Sequence, residues 1–150
     1  MYLNMNGRKR FDWVTTSLVL AEQIAALRCE DPYVQVGAVA VKRDRSIILG
    51  YNGAPSGVNI DWSDRDKRRP KVIHAEANAL NFCKPEDKIE FLAVTHLPCP
   101  ECIKLIKQKE IDTVYYMYTL HSYNSDLTFE LAREFHIKLV HIRRQDLCNI

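Results

Sequence analysis

Apolar residues return along the chain in two rhythms. From Asp12 to about Arg28, Val14, Leu18, Ala21, Ile24, Ala25 and Leu27 recur at helical spacing, and Asp12 is placed to cap the first turn. After Asp31-Pro32 the pattern changes. Val34 to Lys42 and Ser46 to Tyr51 are rich in branched apolar residues and are parted by the polar turn Arg43-Asp44-Arg45, which predicts a hairpin. Gly50 to Gly57 reads as an irregular loop. The helical rhythm resumes from about His74 to Cys83 and stops before Pro85. Beyond it the pattern predicts a strand over Phe91–His96, a helix over Cys99–Gln108, a strand over Val114–Met117, a helix over Asp126–Phe135 and a last strand over Ile137–His141. Strands alternating with helices after a hairpin predict a three-layer α/β/α fold, with a mixed and mostly parallel five-stranded sheet.

Composition narrows the class. At 150 residues, 1–150 is expected to form a single domain with one core. The formal charge of +2 is too small to announce a nucleic-acid partner, and no stretch approaches the roughly 20 apolar residues of a membrane span. The basic excess is local, at Arg65, Lys67, Arg68, Arg69 and Lys71. Such a run usually marks a solvated loop, but its place just ahead of His74 also suits phosphate. The five cysteines show no disulfide spacing, and the first residues, Met1 to Arg10, hold no apolar run of a signal peptide. A reducing, cytoplasmic setting is expected. Cys29 and Cys83 read as small buried apolar residues.

The candidate chemistry lies in His74-Ala75-Glu76 and Pro98-Cys99-Pro100-Glu101-Cys102. One imidazole and two cysteines supply three ligands, one short of a tetrahedral zinc, and that shortfall is the mark of a catalytic site with a bound water. Cys99 and Cys102 share a face where they open a helix, and first-turn amides favour thiolate. His74 and Glu76 would point roughly 200° apart on a regular helix. They serve one site if His74 stands at the helix mouth, as ligand, while Glu76 moves protons to and from the water. A lone Cys-x-x-Cys is often structural or redox-active, but the chain has no second such pair and neither role explains His-Ala-Glu. Both motifs fall at strand-to-helix junctions, where open α/β sheets bind ligands.

His-x-Glu followed by Pro-Cys-x-x-Cys is similar to the signature of nucleobase deaminases. Two further blocks make the resemblance specific. Gly50-Tyr51-Asn52-Gly53-Ala54-Pro55-Ser56-Gly57 resembles the Gly-Tyr-Asn-Gly-x-Pro-x-Gly loop of the deoxycytidylate (dCMP) deaminases, and Asp31-Pro32-Tyr33-Val34-Gln35-Val36-Gly37-Ala38 resembles the segment before it. The resemblance implies a cytidine deaminase-like fold and zinc-dependent hydrolysis of dCMP to dUMP and ammonia, supplying thymidylate synthesis. His74, Cys99 and Cys102 match the family's zinc ligands, and Glu76 matches its proton shuttle. The amide of Ala75 matches the group that holds the pyrimidine carbonyl. Asn52 matches a contact to sugar and base, although by itself it also suits a turn with positive φ before Gly53. The carbonyl of Leu97 or Pro98 is a candidate acceptor for the departing amine. Tyr123, followed by Asn124 and Ser125, loosely resembles the family's Tyr-His-Asp-Ser segment without its histidine and aspartate, and an aromatic ring there is a candidate to close over the pyrimidine. Ser56, Arg68, Arg69 and Lys71 are candidates for the 5′-phosphate.

Some family members bear a longer insertion with a second, structural zinc; Val58 to Ile73 contains neither His nor Cys, so one zinc per chain is expected. The resemblance further implies a homo-oligomer, a hexamer, with dCTP and dTTP as effectors bound with Mg2+ at a separate site; the loop linked to that behaviour is present and the segment after it is shortened. Three alternatives stand beside this reading: a deaminase that also accepts dCTP, one that edits bases in tRNA or single-stranded DNA, and a non-catalytic protein that keeps zinc for folding.

Overall fold

The computed structural model describes residues 2–3, 6–120 and 124–147. Two short strands, β1 (Tyr2–Leu3) and β2 (Lys9–Arg10), pair antiparallel. Helix α1 (Trp13–Arg28) follows, capped by Asp12, whose side chain accepts from the Thr15 amide at 2.7 Å. The hairpin is β3 (Gly37–Lys42) and β4 (Ile47–Tyr51), turned through Arg45 at a φ of 71°. A short α2 (Arg65–Arg68) precedes α3 (Ala75–Asn81). Then come β5 (Ile89–His96), α4 (Pro100–Gln108), β6 (Thr113–Tyr118), α5 (Ser125–Glu134) and β7 (Lys138–His141), with a 3₁₀ turn at Arg144–Asp146.

The main sheet has the order β4-β3-β5-β6-β7. Strand β3 is antiparallel to both its neighbours, while β5, β6 and β7 are parallel, so the sheet is mixed and every strand but β3 runs the same way. The reason is the crossover. β4 and β5 run the same way, as a strand–helix–strand connection through α3 requires, but the connection steps over β3, which lies between them.

Alternation along β3 divides the core in two. Ala38 and Ala40 face α3, α4 and α5, packing with Ala75, Ala79, Leu80, Ile103 and Ala132; Val39 and Val41 face α1, packing with Leu18 and Ala21. Small residues on the first face let α3 lie close against the sheet. A Cβ on Gly50 would stand 2.5 Å from the Ala75 oxygen and the Ala79 nitrogen, so only glycine allows this approach. Leu27, grouped with the apolar stripe of α1 by spacing, is 75% exposed. No helix among the described residues is long and apolar enough to cross a membrane.

Candidate active site

The two motifs meet because each ligand stands just outside a helix. His74 is the N-cap of α3, with extended backbone at φ −69° and ψ 153°, and Cys99 is the N-cap of α4, followed by Pro100 in the first turn. Neither side chain caps its own helix, so both are free to turn inward. His74 Nδ1 lies 3.4 Å from Cys99 Sγ and 3.4 Å from Cys102 Sγ. The three ligand atoms fall within 4.8 Å of one another, and they are the one such group of three among the described residues.

This geometry fits a tetrahedral zinc, whose usual bond lengths place a nitrogen and a sulfur ligand about 3.6 Å apart. The charges fit as well. The hydrogen bond from Cys102 and then that with His74 pull the Cys99 thiol down to about 4, while the bond to Cys99 and burial push Cys102 up. One proton is thus shared between two sulfurs, and a bound cation displaces it, since a coordinating thiol is deprotonated outright. The His74 imidazole is raised, chiefly by its hydrogen bond with Cys99.

Glu76 is 4% exposed, and its Oε2 is 3.6 Å from Cys102 Sγ. Burial raises its carboxyl above the usual range. Beside it opens a cavity of about 420 Å³, lined among others by Asp31, Asn52, Ala75, His96, Leu97 and the arginines of the α2 segment.

Several expected site residues reach this cavity: Asn52, Arg68, Arg69, Ala75 and Leu97 line it with His74, Glu76 and Cys99. Asn52 has no positive φ, so it is not a left-handed turn residue. Its amide ties the 34–36 segment down: Oδ1 accepts from the Val36 amide at 2.7 Å and the Cys29 thiol at 3.0 Å, and Nδ2 donates to the Val34 carbonyl at 3.0 Å. One Nδ2 hydrogen is left for a ligand. Those bonds also explain why β3 begins at Gly37 rather than Val34.

Other candidates lie elsewhere. Ser56 is exposed and off the cavity, because the turn closed by the Val58 amide on the Pro55 carbonyl faces it to solvent. Lys71 is exposed beyond the end of α2 and does not line the cavity. The Pro98 carbonyl accepts from Thr128 Oγ1 at 2.9 Å, on the buried side away from the cavity, whereas Leu97 lines it. Tyr123 lies outside the described residues.

Three further residues line the cavity: Arg65 from the basic run, Asp31 from the block before the glycine-bearing loop, and His96, which belongs to no motif. Arg65 joins Arg68 and Arg69 once α2 forms, capped by Asp64. Arg68 stacks its guanidinium 4.3 Å from the centre of the Tyr33 ring. His96 ends β5, and burial holds its imidazole below the usual range. Thr95 Oγ1 accepts from the Gly37 amide at 3.1 Å and lies in hydrogen-bond contact with His96 Nδ1 at 2.8 Å. Asp31 is 6% exposed.

Comparison with known proteins agrees with this chemistry. Residues 12–118 match the cytidine and deoxycytidylate deaminase zinc-binding region. The chain is 38% identical over 105 residues to an uncharacterized deaminase in the luxG 3′ region of Aliivibrio fischeri, covering 69% of this chain and 71% of that protein. It is 37% identical over 123 residues to the deoxycytidylate deaminase of Mycobacterium phage D29, covering 71% and 95%. The crystal structure of dCMP deaminase from the cyanophage S-TIM5 in complex with dCMP and dUMP superposes with a TM-score of 0.66 at 29% identity, over 85% of this chain and 93% of that one.

Proposed function

The chain belongs to the cytidine and deoxycytidylate deaminase family, a family of hydrolytic zinc enzymes, and within it we propose that this protein converts dCMP to dUMP with release of ammonia. The observation that carries the reading is one cavity lined by His74 and Cys99 of the three-ligand cluster, the buried Glu76 and the Arg65, Arg68 and Arg69 side chains. A phage relative named for this activity and the cyanophage structure solved with dCMP and dUMP support the choice of nucleotide.

His74, Cys99 and Cys102 hold the zinc. When bound, zinc supplies Lewis-acid activation of a water, bringing its pKa toward about 7. The remaining work falls to the chain. The Ala75 amide, an unsatisfied donor of the first turn of α3, binds the ring carbonyl oxygen. Glu76 takes a proton from the attacking water, gives it to ring nitrogen N3, and carries the second proton to the amine. Water's oxygen stays on carbon 4, the carbon–nitrogen bond breaks, and ammonia leaves. The Leu97 carbonyl accepts a hydrogen from that amine, and Asn52 positions the sugar through its spare Nδ2 hydrogen. Arg65, Arg68 and Arg69 bind the 5′-phosphate, for which planar guanidiniums are suited.

Ammonia release from dCMP, dCTP, CMP and cytidine, with zinc quantified, tests the reading. Selective turnover of dCMP at about one zinc per chain is the expected result, and no turnover of dCMP would overturn it. Adding dCTP or dTTP with Mg2+ to the same assay, and measuring the mass of the assembly, reads out the effector response and the hexamer that the family leads us to expect.

A further inference from the structure

Besides Glu76, the cavity contains one other buried carboxylate. Asp31 is 6% exposed, whereas Glu101 is exposed and pairs with Lys104 at 2.7 Å. Asp31 Oδ1 accepts from the Tyr33 amide at 2.8 Å and the Val34 amide at 3.3 Å, and its backbone carbonyl accepts from Gln35 Nε2 at 2.6 Å. The carboxylate is thereby fixed on one side. Its Oδ2 has no hydrogen-bond partner among the described residues, and none of the cavity arginines forms an ion pair with it. Arg68, the neighbouring cation, stacks on Tyr33 and donates to the Trp62 carbonyl at 3.3 Å instead. Among the described residues Ser17 Oγ is the one fully buried side-chain oxygen or nitrogen without a partner, so Asp31 Oδ2 is not sealed from solvent and a ligand's hydroxyl can take the place of water on it.

The contacts on either side say where this oxygen stands. Toward the zinc cluster, Asp31 holds Val34, whose carbonyl takes the Asn52 amide; the next residue, Gly53, exchanges backbone hydrogen bonds with Ile73 at 3.1 and 2.8 Å, and His74 follows. Toward the basic end, Asp31 holds Tyr33, on which Arg68 lies. A nucleotide with its base at Glu76 and its phosphate at the arginines therefore sets its sugar beside Asp31. A 5′-phosphorylated deoxyribose has one free hydroxyl, at the 3′ position.

We propose that Asp31 Oδ2 accepts the 3′-hydroxyl of the deoxyribose and thereby selects free mononucleotides over nucleotides esterified at that oxygen. The proposal rests on the reading of a deoxynucleotide monophosphate substrate. A carboxylate accepts and does not donate. A 3′-hydroxyl supplies the hydrogen it needs; a 3′-phosphodiester has none and brings a second negative charge against it. Asp31 is thus a specificity-determining residue that closes the cavity to internal positions of a DNA strand.

The test uses zinc-loaded protein, wild type and Asp31→Asn. The asparagine keeps an oxygen for the Tyr33 and Val34 amides and presents an NH₂ in place of Oδ2; a melting temperature checks its fold. Calorimetry on the wild type is expected to show dUMP bound about tenfold or more tighter than 2′,3′-dideoxy-UMP, the scale of losing a hydrogen bond to a charged group. For deoxycytidine 3′,5′-bisphosphate, turnover relative to dCMP is expected to rise about tenfold in Asp31→Asn, since an amide can donate to the added phosphate. Equal binding of dUMP and its dideoxy analogue by a wild type that deaminates dCMP would overturn this inference alone. An unchanged bisphosphate ratio in a folded Asp31→Asn would also overturn it. A wild type that neither deaminates dCMP nor binds dUMP would overturn the inference together with the proposed function.

Discussion

Gly50 and Gly53 belong to the same loop motif, yet the fold asks different things of them, and alanine at each separates the two. At Gly50 a Cβ would meet the Ala75 oxygen and the Ala79 nitrogen at 2.5 Å and the Ala79 Cβ at 2.8 Å. All three belong to the helix itself, so no flexible side chain can give way. The shortest contacts fall about 0.9 Å below the 3.4 Å at which ordinary contact begins, and α3 has to retreat by that order. His74, Ala75 and Glu76 sit at the mouth of that helix. Metal ligands hold their distances within about 0.2 Å, so the retreat exceeds the tolerance of the cluster several times over. Overpacking of this kind costs about 1–3 kcal/mol, or about 3–10 °C in melting temperature for a chain of this length. Gly50→Ala is therefore expected to weaken zinc binding at least about tenfold and to lower kcat/KM about 100-fold, the scale of an ångström's misplacement at a reacting centre. At Gly53 a Cβ would meet the edge of the Tyr51 ring at 3.6 Å, an ordinary contact, and Gly53→Ala is expected to keep zinc affinity within about twofold of wild type. Competition of each variant against a chromophoric chelator, alongside thermal melting, makes the comparison. A Gly50→Ala protein that melts with the wild type and holds zinc equally well would refute the packing argument.

Glu76→Gln keeps the shape of the side chain but cannot hold or deliver a proton; kcat is expected to fall about 1,000-fold or more with zinc content unchanged, and loss of the metal would instead make Glu76 a ligand. Stripping zinc with a chelator is expected to lower the melting temperature as well as stop turnover, since an ion bound to the folded state alone stabilises it by mass action; an unshifted melt would mean the cluster does not hold the ion tightly. Burial depresses the His96 pKa below the ordinary imidazole value, so the unfolded chain takes up that proton more readily. The stability this gives is complete above about 6.5 and is lost as pH falls toward the folded value. Denaturant titrations between pH 5 and 8 are expected to show a shallower acid loss for His96→Asn than for wild type, and parallel profiles would remove His96 as the cause.

What the sequence makes legible depends on whether a residue's role forces a spacing. His74, Glu76, Cys99 and Cys102 are readable because a metal with three protein ligands and a nearby carboxylate demands particular residue types at particular offsets, each at the mouth of a helix. The long periodic elements are readable for the same reason. Asp31, Arg65 and His96 face the cavity without any such constraint on their neighbours. Asp31 is fixed by two amides of its own turn, and that turn is held down by the Asn52 side chain from across the hairpin. Arg65 reaches the cavity because Asp64 caps a four-residue helix inside what reads as a solvated charge run. His96 continues an apolar strand, and its ring is held by Thr95, whose hydroxyl also takes the Gly37 amide 58 positions earlier. In each case the deciding hydrogen bond runs between a side chain and backbone in irregular structure or on a neighbouring strand, and such bonds leave no periodic trace. The same limit applies to the sheet. The order β4-β3-β5 follows from a crossover that steps over a strand, a choice made by the packing of α3 against Gly50 and Ala38 rather than by any pattern within the strands themselves. The catalytic chemistry is therefore written locally and the specificity is written in contacts, so the metal cluster is expected to tolerate few substitutions at its own positions, while choice of substrate is expected to shift with residues such as Asp31, whose place in a motif does not state what it touches.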